Sequence, residues 1–465
     1  MAPGANAEGQ HTRAFAGGPV TPSHRIEVLD VMRGIAVCGI LAVNIFVMGT
    51  VGSTQGRTFP AQWNADWIAW IAQRLLLEGP MRGLFTILFG AGMLMILRRA
   101  EGPHGDVLPV DVWTRRCLAL LIFGVAHFLL LMWPGEILWT YGIAGFALLA
   151  FRTAKVRTLW VWALLIIAAL SLHRAYDTST YVSSYQAALA GERSQANGQA
   201  PSAEQQAGLA AVEAAKSANY PTADSIRAEI KQRTELSTLL GWSAAGWSFR
   251  HLGVYSWIAV AESLAFMLVG MALYRSGILT GEASSRTYWR LLLFGAGIGL
   301  ALRIFDFAWQ ARTGFELDIH RMNALVSILR SGWYQPARLS LTLAYVGLIV
   351  LLVKSGSGTW RLPFRALGRM ALSVYTLQSV LAAQLFYGLG YVGALSAASL
   401  LLVTLAICVI TTLFSLAWIR RSSVGPAEWL LRAIAYGTFS PQRRQTASVI
   451  AQASPLKPRK AQRVS

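Results

Sequence analysis

The stretch "RIEVLDVMRGIAVCGILAVN" at residues 25–44 sets a cluster of charge directly against a long apolar run. Four charged residues share its first half: Arg25, Glu27, Asp30 and Arg33. The apolar run continues to Val51 and is interrupted by the amide of Asn44. About 20 consecutive apolar residues are enough for a helix to cross a bilayer. The stretch therefore predicts a membrane-spanning helix with a charged mouth at one end and an amide inside the membrane.

The composition extends this interpretation to the whole chain. Of the 465 residues, 54% are hydrophobic and 14% are charged, whereas soluble proteins carry about 25% charged residues. Repeated apolar runs of about 18 residues indicate spanning helices, because only helices and closed barrels satisfy the backbone in lipid. The sequence predicts an all-α, polytopic transmembrane helical bundle. Ten spans are expected, at residues 31–51, 83–97, 117–133, 137–151, 159–172, 252–274, 289–309, 339–353, 367–387 and 394–419.

The distribution of lysine and arginine predicts the orientation of the bundle. If both termini are cytoplasmic, 26 of the 41 basic residues lie in or beside cytoplasmic segments, and 8 lie in the four shorter outer loops or, for Arg303, near the outer end of a span. The reverse orientation would invert this ratio. The net charge of +19 is therefore a topology signal, aided by the anionic inner leaflet of the bilayer. The lipid bilayer is the expected partner, and no nucleic acid is needed to explain the charge.

One membrane domain is expected, at residues 25–437, between two polar cytoplasmic tails. The tails at residues 1–24 and 438–465 are predicted to be disordered, and the second is basic. A long outer loop at residues 173–250 is rich in Ala, Gln and Ser, and we expect helices there around a flexible middle. It either caps a site on the outer side or is a tolerated surface insertion. The three cysteines show neither metal-ligand spacing nor a disulfide framework, so no metal site is predicted.

Polar residues inside the predicted spans are the functional candidates, because they are costly in a membrane. They are Asn44, His127, Glu136, Tyr141, Glu262 and Gln378. Each also has a structural alternative, since amides commonly form hydrogen bonds between helices and an interior histidine can simply be satisfied. Glu262 has apolar neighbours on both sides. It must therefore be protonated or paired with a residue on another helix.

His127 and Glu136 flank the end of the third predicted span. Nine residues on an unbroken helix correspond to a rise of about 13 Å, which would prevent direct contact. The Pro134–Gly135 break can fold the chain back between them. We therefore expect His127, Glu136 and Asn44 to line one cavity open toward the outer face, with Glu136 hydrated at its rim.

Several ordered motifs resemble the YeiB family of bacterial inner-membrane proteins. The matching stretches are "RIEVLDVMRGIAVCGILAVNI", "LFTILFGAGM", "RRCLALLIFGVAHFLLLMWPGEILWTYGIAG", "ESLAFMLVGMALYRSGIL", "GRMALSVYTLQSVL" and "VGPAEWLLRAIAYG". Together they cover nearly all the predicted spans. The resemblance implies a multi-pass inner-membrane protein, with the family's C-terminal domain of unknown function at residues 252–437. The long outer loop would be this protein's own variation.

A fainter resemblance concerns "LDVMRGIA", which is similar to the first-helix motif of transmembrane acyltransferases. In those enzymes the Arg-Gly pair is followed eleven residues later by an intramembrane histidine, and Asn44 stands at that position here. The resemblance implies that Arg25, Asp30 and Arg33 shape a cytoplasmic mouth for a donor such as acyl-CoA. The Asp30 and Arg33 pair can equally be a helix-start device. Asn cannot act as a general base, so His127 is the substitute we consider for proton transfer.

Three functions remain open from the sequence, and only the first is enzymatic. The first is an acyltransferase-like enzyme that carries an acyl group from a cytoplasmic donor to an envelope sugar or lipid. Its catalytic residues would be His127 and Glu136. The second is a small-solute transporter with Glu262 and His127 as a proton relay, although no inverted repeat is evident. The third is a non-catalytic membrane component of envelope biogenesis, which the missing histidine at position 44 favours.

Overall fold

A computed structural model of the chain describes residues 26–51, 64–100, 108–219, 221–253, 256–315, 318–356 and 358–437. Both predicted tails, together with Arg25, lie outside the described residues. The regular structure in these ranges is helical, as predicted. The helices are α1 (Glu27–Gly49), α2 (Ala65–Ala72), α3 (Pro80–Ala100), α4 (Pro109–Leu131), α5 (Leu138–Leu148), α6 (Val156–Ala196), α7 (Ala203–Asn219), α8 (Ala223–Thr234), α9 (Leu236–His251), α10 (Ser256–Arg275), α11 (Ser285–Arg312), α12 (Ala324–Gly332), α13 (Tyr334–Lys354), α14 (Arg361–Arg369), α15 (Ala371–Ala383), α16 (Ala397–Arg421) and α17 (Pro426–Tyr436). Single π-helical turns follow α2 (Gln73–Leu77) and α15 (Gln384–Gly388), and 3₁₀ turns occur at Leu149–Phe151 and Ile319–Arg321.

Eight of the ten predicted spans coincide with helices that are long and apolar enough to cross a membrane among the described residues. The span predicted at 137–151 is a shorter apolar helix, Leu138–Phe151, with half or more of the α5 residues buried inside the bundle. The span predicted at 367–387 belongs to a pair of helices, α14 and α15, bent by 90°. The polytopic helical bundle is confirmed, with these two segments departing from simple spans.

Four peripheral helices present apolar side chains to the surroundings of the bundle: α4, α6, α11 and α16. Exposed large residues occur along each of them, including Ile122, Leu165, Phe294 and Leu402. A soluble protein rarely exposes apolar surface of this extent, whereas lipid tails accommodate it without cost. The chain is therefore a membrane protein.

Helix α10 lies at the centre of the bundle, and its residues from Ala265 to Leu273 are almost all fully buried. It crosses α3 with backbone-to-backbone contact, which glycines on both helices permit. A Cβ atom at Gly90 would lie 2.0 Å from the carbonyl oxygen of Met267, and one at Gly270 would lie 1.9 Å from that of Ile87. Small residues at such crossings allow close packing in membranes, where apolar burial alone does not hold helices together.

The Arg-Gly pair of the opening stretch has a similar packing role. A Cβ atom at Gly34 would lie 2.0 Å from the carbonyl oxygen of Phe364, and one at Gly368 would lie 1.8 Å from that of Asp30. The start of α1 therefore crosses α14 in backbone contact. This crossing brings the charged mouth of α1 against the 90° break between α14 and α15.

The long segment at residues 173–250 forms a helical cap over one end of the bundle. Helix α6 continues to Ala196, and α7 packs against it, so the expected flexible middle is a helix instead. Arg233 of α8 donates to the carbonyl oxygen of Thr50, 2.6 Å away, just beyond α1. Helix α9 packs on α4. We call the end that carries Gly49, Glu136 and His251 the capped end, and the charge pattern predicts that it is the outer one.

Candidate functional site

His127 lies on the face of α4 that meets α15 and is 5% exposed. Its ring stacks on Tyr375 with the centroids 4.8 Å apart and the planes within 10°. The Nε2 atom of His127 has no hydrogen-bond partner in the described part of the chain. One turn after Tyr375, the side-chain amide of Gln378 is also buried, and its Nε2 atom likewise lacks a partner there. Buried polar atoms in this state are costly unless water or a ligand completes them.

Glu136 starts α5 from the segment between α4 and α5. Its Oε2 atom accepts hydrogen bonds from the backbone N–H groups of Leu138, at 2.6 Å, and Trp139, at 3.1 Å. The first N–H groups of a helix have no partner within the helix, and a carboxylate there also interacts favourably with the helix dipole. The chain reverses just before, at Met132, whose φ is +51°. Glu136 therefore has a definite structural role at this turn.

The imidazole beside Glu136 is that of His251, which is not among the residues predicted from the sequence. His251 Nε2 lies 3.4 Å from Glu136 Oε1, and Trp247 donates to the same oxygen from 3.3 Å. Glu136 is 1% exposed, so the expectation of a hydrated carboxylate at a rim is wrong. The physical reason is the cap, because α9 brings Trp247 and His251 over the α4–α5 turn. No direct contact joins Glu136 to His127 among the described residues.

The Glu136 carboxyl and the His251 imidazole are both buried and lie within ion-pair distance, although His251 Nε2 makes no hydrogen bond in the described part of the chain. Burial raises the pKa of Glu136, although its three N–H donors oppose the shift. Burial and the charge of Arg250 lower the pKa of His251 to about 4, against the opposing effect of a hydrogen bond to the Pro134 carbonyl. His251 Nδ1 also lies 3.5 Å from Thr140 Oγ1. Burial therefore disfavours the charged form of both groups.

Replacing Glu136 with alanine is expected to lower the free energy of unfolding by about 1–3 kcal/mol for each buried donor that loses its partner. Those donors are the N–H groups of Leu138, Trp139 and Trp247. Thermal unfolding of the detergent-purified protein, followed by tryptophan fluorescence, measures the change. Glu204→Ala, at an exposed position on α7, serves as the matched control. Equal unfolding midpoints for the two variants would show that Glu136 is not needed at the turn.

Glu262 is paired, as the cost of an isolated buried carboxylate predicts. Arg82 Nη2 of α3 lies 2.6 Å from Glu262 Oε1, and Arg338 of α13 contacts the same oxygen. Arg338 is buried, lies over the Phe266 ring at 4.4 Å and donates from Nε to the carbonyl oxygen of Gly79 at 2.9 Å. Neither arginine is among the residues predicted from the sequence. The available signal was their position beside two predicted spans, at the end where basic residues are scarce.

Tyr141 connects these two groups of residues. Its hydroxyl forms a 2.5 Å hydrogen bond with Thr86 Oγ1 and lies within range of the charges of Arg82 and Arg338. Tyr375, which stacks on His127, lies close enough to Glu136 and Tyr141 to interact with both electrostatically. The residues around His127, Glu136 and Glu262 are therefore joined into one group, which we call the interior polar network. It extends across the bundle near its capped end. Its members are Arg82, His127, Glu136, Tyr141, His251, Glu262, Arg338, Tyr375 and Gln378.

Asn44 is half-buried on α1, and its side chain makes no hydrogen bond within the described part of the chain. It lies two turns beyond Val37, on the same helix face. Val37 packs in one cluster with Leu120 of α4 and Tyr375 of α15. Asn44 is thus directed toward the side of α1 that meets the interior polar network. A cavity shared by Asn44, His127 and Glu136 stays a prediction.

The charged mouth of α1 consists of ion pairs. Arg33 Nη1 lies 2.8 Å from Asp30 Oδ1, and Glu27 pairs with Arg365 of α14 at 3.4 Å. Asp30 is buried at the crossing of α1 and α14. These contacts fit a helix-start device, and they also leave a basic mouth, because Arg33 lies within electrostatic range of Arg116.

Comparison with known proteins finds similarity to one family of unknown function and to several uncharacterized proteins. Residues 273–438 match a family described as "Protein of unknown function (DUF418)". The chain is 29% identical over 441 residues to "Uncharacterized protein YxaH" of Bacillus subtilis (strain 168), which covers 92% of this chain and 98% of the relative. It is 27% identical over 449 residues to "Uncharacterized protein YeiB" of Escherichia coli (strain K12), covering 90% and 98% respectively. No solved structure matches.

Proposed function

Because this chain belongs to the YeiB family of DUF418 membrane proteins, and its polar residues converge inside the bundle, we propose that it is an intramembrane acyltransferase. It transfers an acyl group from a cytoplasmic donor such as acyl-CoA to a hydroxyl of an envelope sugar or lipid on the outer side of the inner membrane. The donor enters at the charged mouth of α1, where Asp30 and Arg33 lie. The acceptor enters at the capped end.

One observation carries the proposal: the Nε2 atom of His127 is buried without a partner among the described residues. A histidine kept only for packing would have this atom satisfied, because an unpaired buried polar atom destabilises the protein. The stacking of His127 on Tyr375 holds the ring in one orientation. A positioned imidazole that can accept a proton is the usual general base near neutral pH.

The residues divide the chemistry as follows. His127 Nε2 removes the proton of the acceptor hydroxyl while its oxygen attacks the carbonyl carbon of the thioester. The carbon–oxygen bond forms, the carbon–sulfur bond breaks, and the sulfur leaves as thiolate, which takes up one proton. The products are an ester and a free thiol, so atoms and charge balance. Glu136 and His251 line the capped end, where Asn44, Tyr141 and Gln378 orient the acceptor.

A proton-coupled transporter is the less favoured alternative. Its relay would need Glu262 to gain and lose a proton during each cycle. Glu262 instead contacts two arginines, Arg82 and Arg338, and such partners stabilise the ionised carboxylate. These contacts weigh against a relay through Glu262.

We expect His127→Ala to reduce acyl transfer by about a hundredfold or more, the usual range for a lost general base. Membranes containing the protein are incubated with radiolabelled acetyl-CoA or a radiolabelled long-chain acyl-CoA. Label that becomes base-labile in the lipid and glycan fractions is then counted. His127→Asn keeps a polar side chain and is expected to be equally inactive, because an amide does not accept a proton at neutral pH.

His320→Ala is the matched control, since His320 is exposed on a 3₁₀ turn and pairs with Glu192 at 3.3 Å. It is expected to retain full transfer. Protein amounts are equalised by immunoblot. Wild-type membranes that incorporate no more label than membranes without the protein would refute the proposal. Full incorporation by His127→Ala would remove His127 from the mechanism.

A further inference from the structure

Three arginines converge near the capped end in a way that the topology rule does not explain. Arg82 begins α3, Arg250 nearly ends α9, and Arg338 lies in the first turns of α13. Basic residues are concentrated at the predicted cytoplasmic end, where they orient the protein. Arginines gathered at the opposite end need another reason.

The charges of this cluster do not balance. Arg82 and Arg338 share the single carboxylate of Glu262. Arg250 has no carboxylate within ion-pair distance in the described part of the chain. Arg250 lies in the same region of the bundle, because the next residue, His251, lies 3.5 Å from Thr140 Oγ1. Tyr141, which follows Thr140, bonds to Thr86, and the Thr86 hydroxyl donates to the Arg82 carbonyl oxygen. The charge of Arg82 acts to lower the pKa of Arg250, after the larger effect of desolvation. A site with two neighbouring cations and one shared anion favours a further anion.

Only some of the N–H donors of Arg82 contact other protein groups. Its side chain is 39% exposed, and Nη2 is the atom that contacts Glu262. A guanidinium group carries five N–H donors in a planar fork that matches the oxygens of phosphate and carboxylate groups. Glu262 and the buried Arg338 hold one edge of Arg82 in place, which leaves its other donors available. Arg250 is exposed beside it.

We infer that Arg82 and Arg250 together bind one oxyanion, a phosphate or a carboxylate, carried by the headgroup of the acceptor. The identification of this anion as part of the acceptor rests on the proposed function, whereas the anion site itself does not. Arg250 precedes His251 in the chain, so a headgroup bound there has its hydroxyls beside the Glu136 and His251 pair. Glu262 and Arg338 act as positioning residues for Arg82. The preferred substrate is thus an anionic sugar or lipid rather than a neutral one.

Binding is tested without turnover, on the full-length protein purified in dodecyl maltoside. Isothermal titration calorimetry is performed with sodium phosphate against sodium chloride at equal ionic strength. A second titration uses mixed micelles of phosphatidylglycerol against phosphatidylcholine. Arg82→Gln and Arg250→Gln are each expected to weaken binding by about tenfold or more, as expected for the loss of a charged hydrogen-bond donor. Arg227→Gln, an exposed position on α8 paired with Asp224, is the control and should bind like the wild type.

Each outcome decides a point. Arginine-dependent binding of inorganic phosphate supports a site for soluble oxyanions, and binding of phosphatidylglycerol alone supports a lipid headgroup. Binding of neither anion, or unchanged binding by the exposed Arg250→Gln variant, overturns the inference. Arg250→Gln keeps the test valid even if Arg82→Gln fails to fold. Anion binding without any acyl transfer would support this anion site and refute the proposed function. Acyl transfer that neither arginine variant reduces would support the proposed function and refute the role of this site in acceptor binding.

Discussion

Replacing Glu262 with lysine is expected to prevent the folded protein from accumulating in the membrane. The substitution removes the carboxylate shared by Arg82 and Arg338 and adds a third cation between them. Breaking a buried ion pair by removing one partner costs about 3–5 kcal/mol. Like-charge repulsion adds to that cost, and the sum approaches the total stability of a typical domain, about 5–15 kcal/mol. The monodisperse fraction after detergent extraction, measured by fluorescence-detected size-exclusion chromatography, reports the effect.

Two further variants separate charge from side-chain size at this position. Glu213→Lys, at an exposed position on α7, is expected to accumulate normally. Glu262→Gln keeps the shape and an acceptor oxygen but leaves the buried Arg338 without a counter-charge. We therefore expect this variant to accumulate less than Glu213→Lys and more than Glu262→Lys. Normal accumulation of Glu262→Lys would mean that the side chain reaches water, and the ion-pair assignment would have to be abandoned.

Replacing Gly90 with leucine is expected to separate α3 from α10 and destabilise the bundle. A Cβ atom at Gly90 would already lie 2.0 Å from the Met267 carbonyl oxygen, before the rest of the side chain is added. Backbone atoms cannot rotate away as side chains do, so the helices must move apart. Overpacking in a core typically costs about 1–3 kcal/mol, and contact with backbone at the central helix should reach or exceed the upper value. Thermal unfolding in detergent measures the loss.

Gly92 provides the matched control, because it lies on the same helix and a Cβ atom there meets nothing within 4 Å. Gly92→Leu makes the same residue change as Gly90→Leu, in the same helix, and alters the helix propensity by the same amount. We expect it to unfold at or above the wild-type temperature, since leucine favours helix over glycine by about 0.5–1 kcal/mol. Similar destabilisation by both leucine variants would exclude the backbone crossing as the cause.

The helices and their membrane setting follow from local properties of the sequence. Apolar runs such as residues 31–51 specify spanning helices because a lipid environment leaves the backbone no other partner within a single segment. The requirement that Glu262 be neutral or paired also follows from its apolar neighbours alone, since the cost of a buried charge does not depend on which partner removes it. This requirement can be predicted from the sequence, whereas the identity of the partners, Arg82 and Arg338, cannot.

The partners of the polar residues were decided by tertiary structure. Glu136 meets His251 instead of His127, because the segment after α6 folds back as a cap and brings α9 over the α4–α5 turn. The Arg-Gly pair of α1 supplies a glycine for backbone contact with α14, which no pattern within α1 reveals. Residues far apart in the chain meet only through the packing of whole helices, and that packing depends on shape and small-residue contacts rather than on hydropathy. Local sequence therefore determined which residues are buried in the membrane, and the fold determined which of them are in contact.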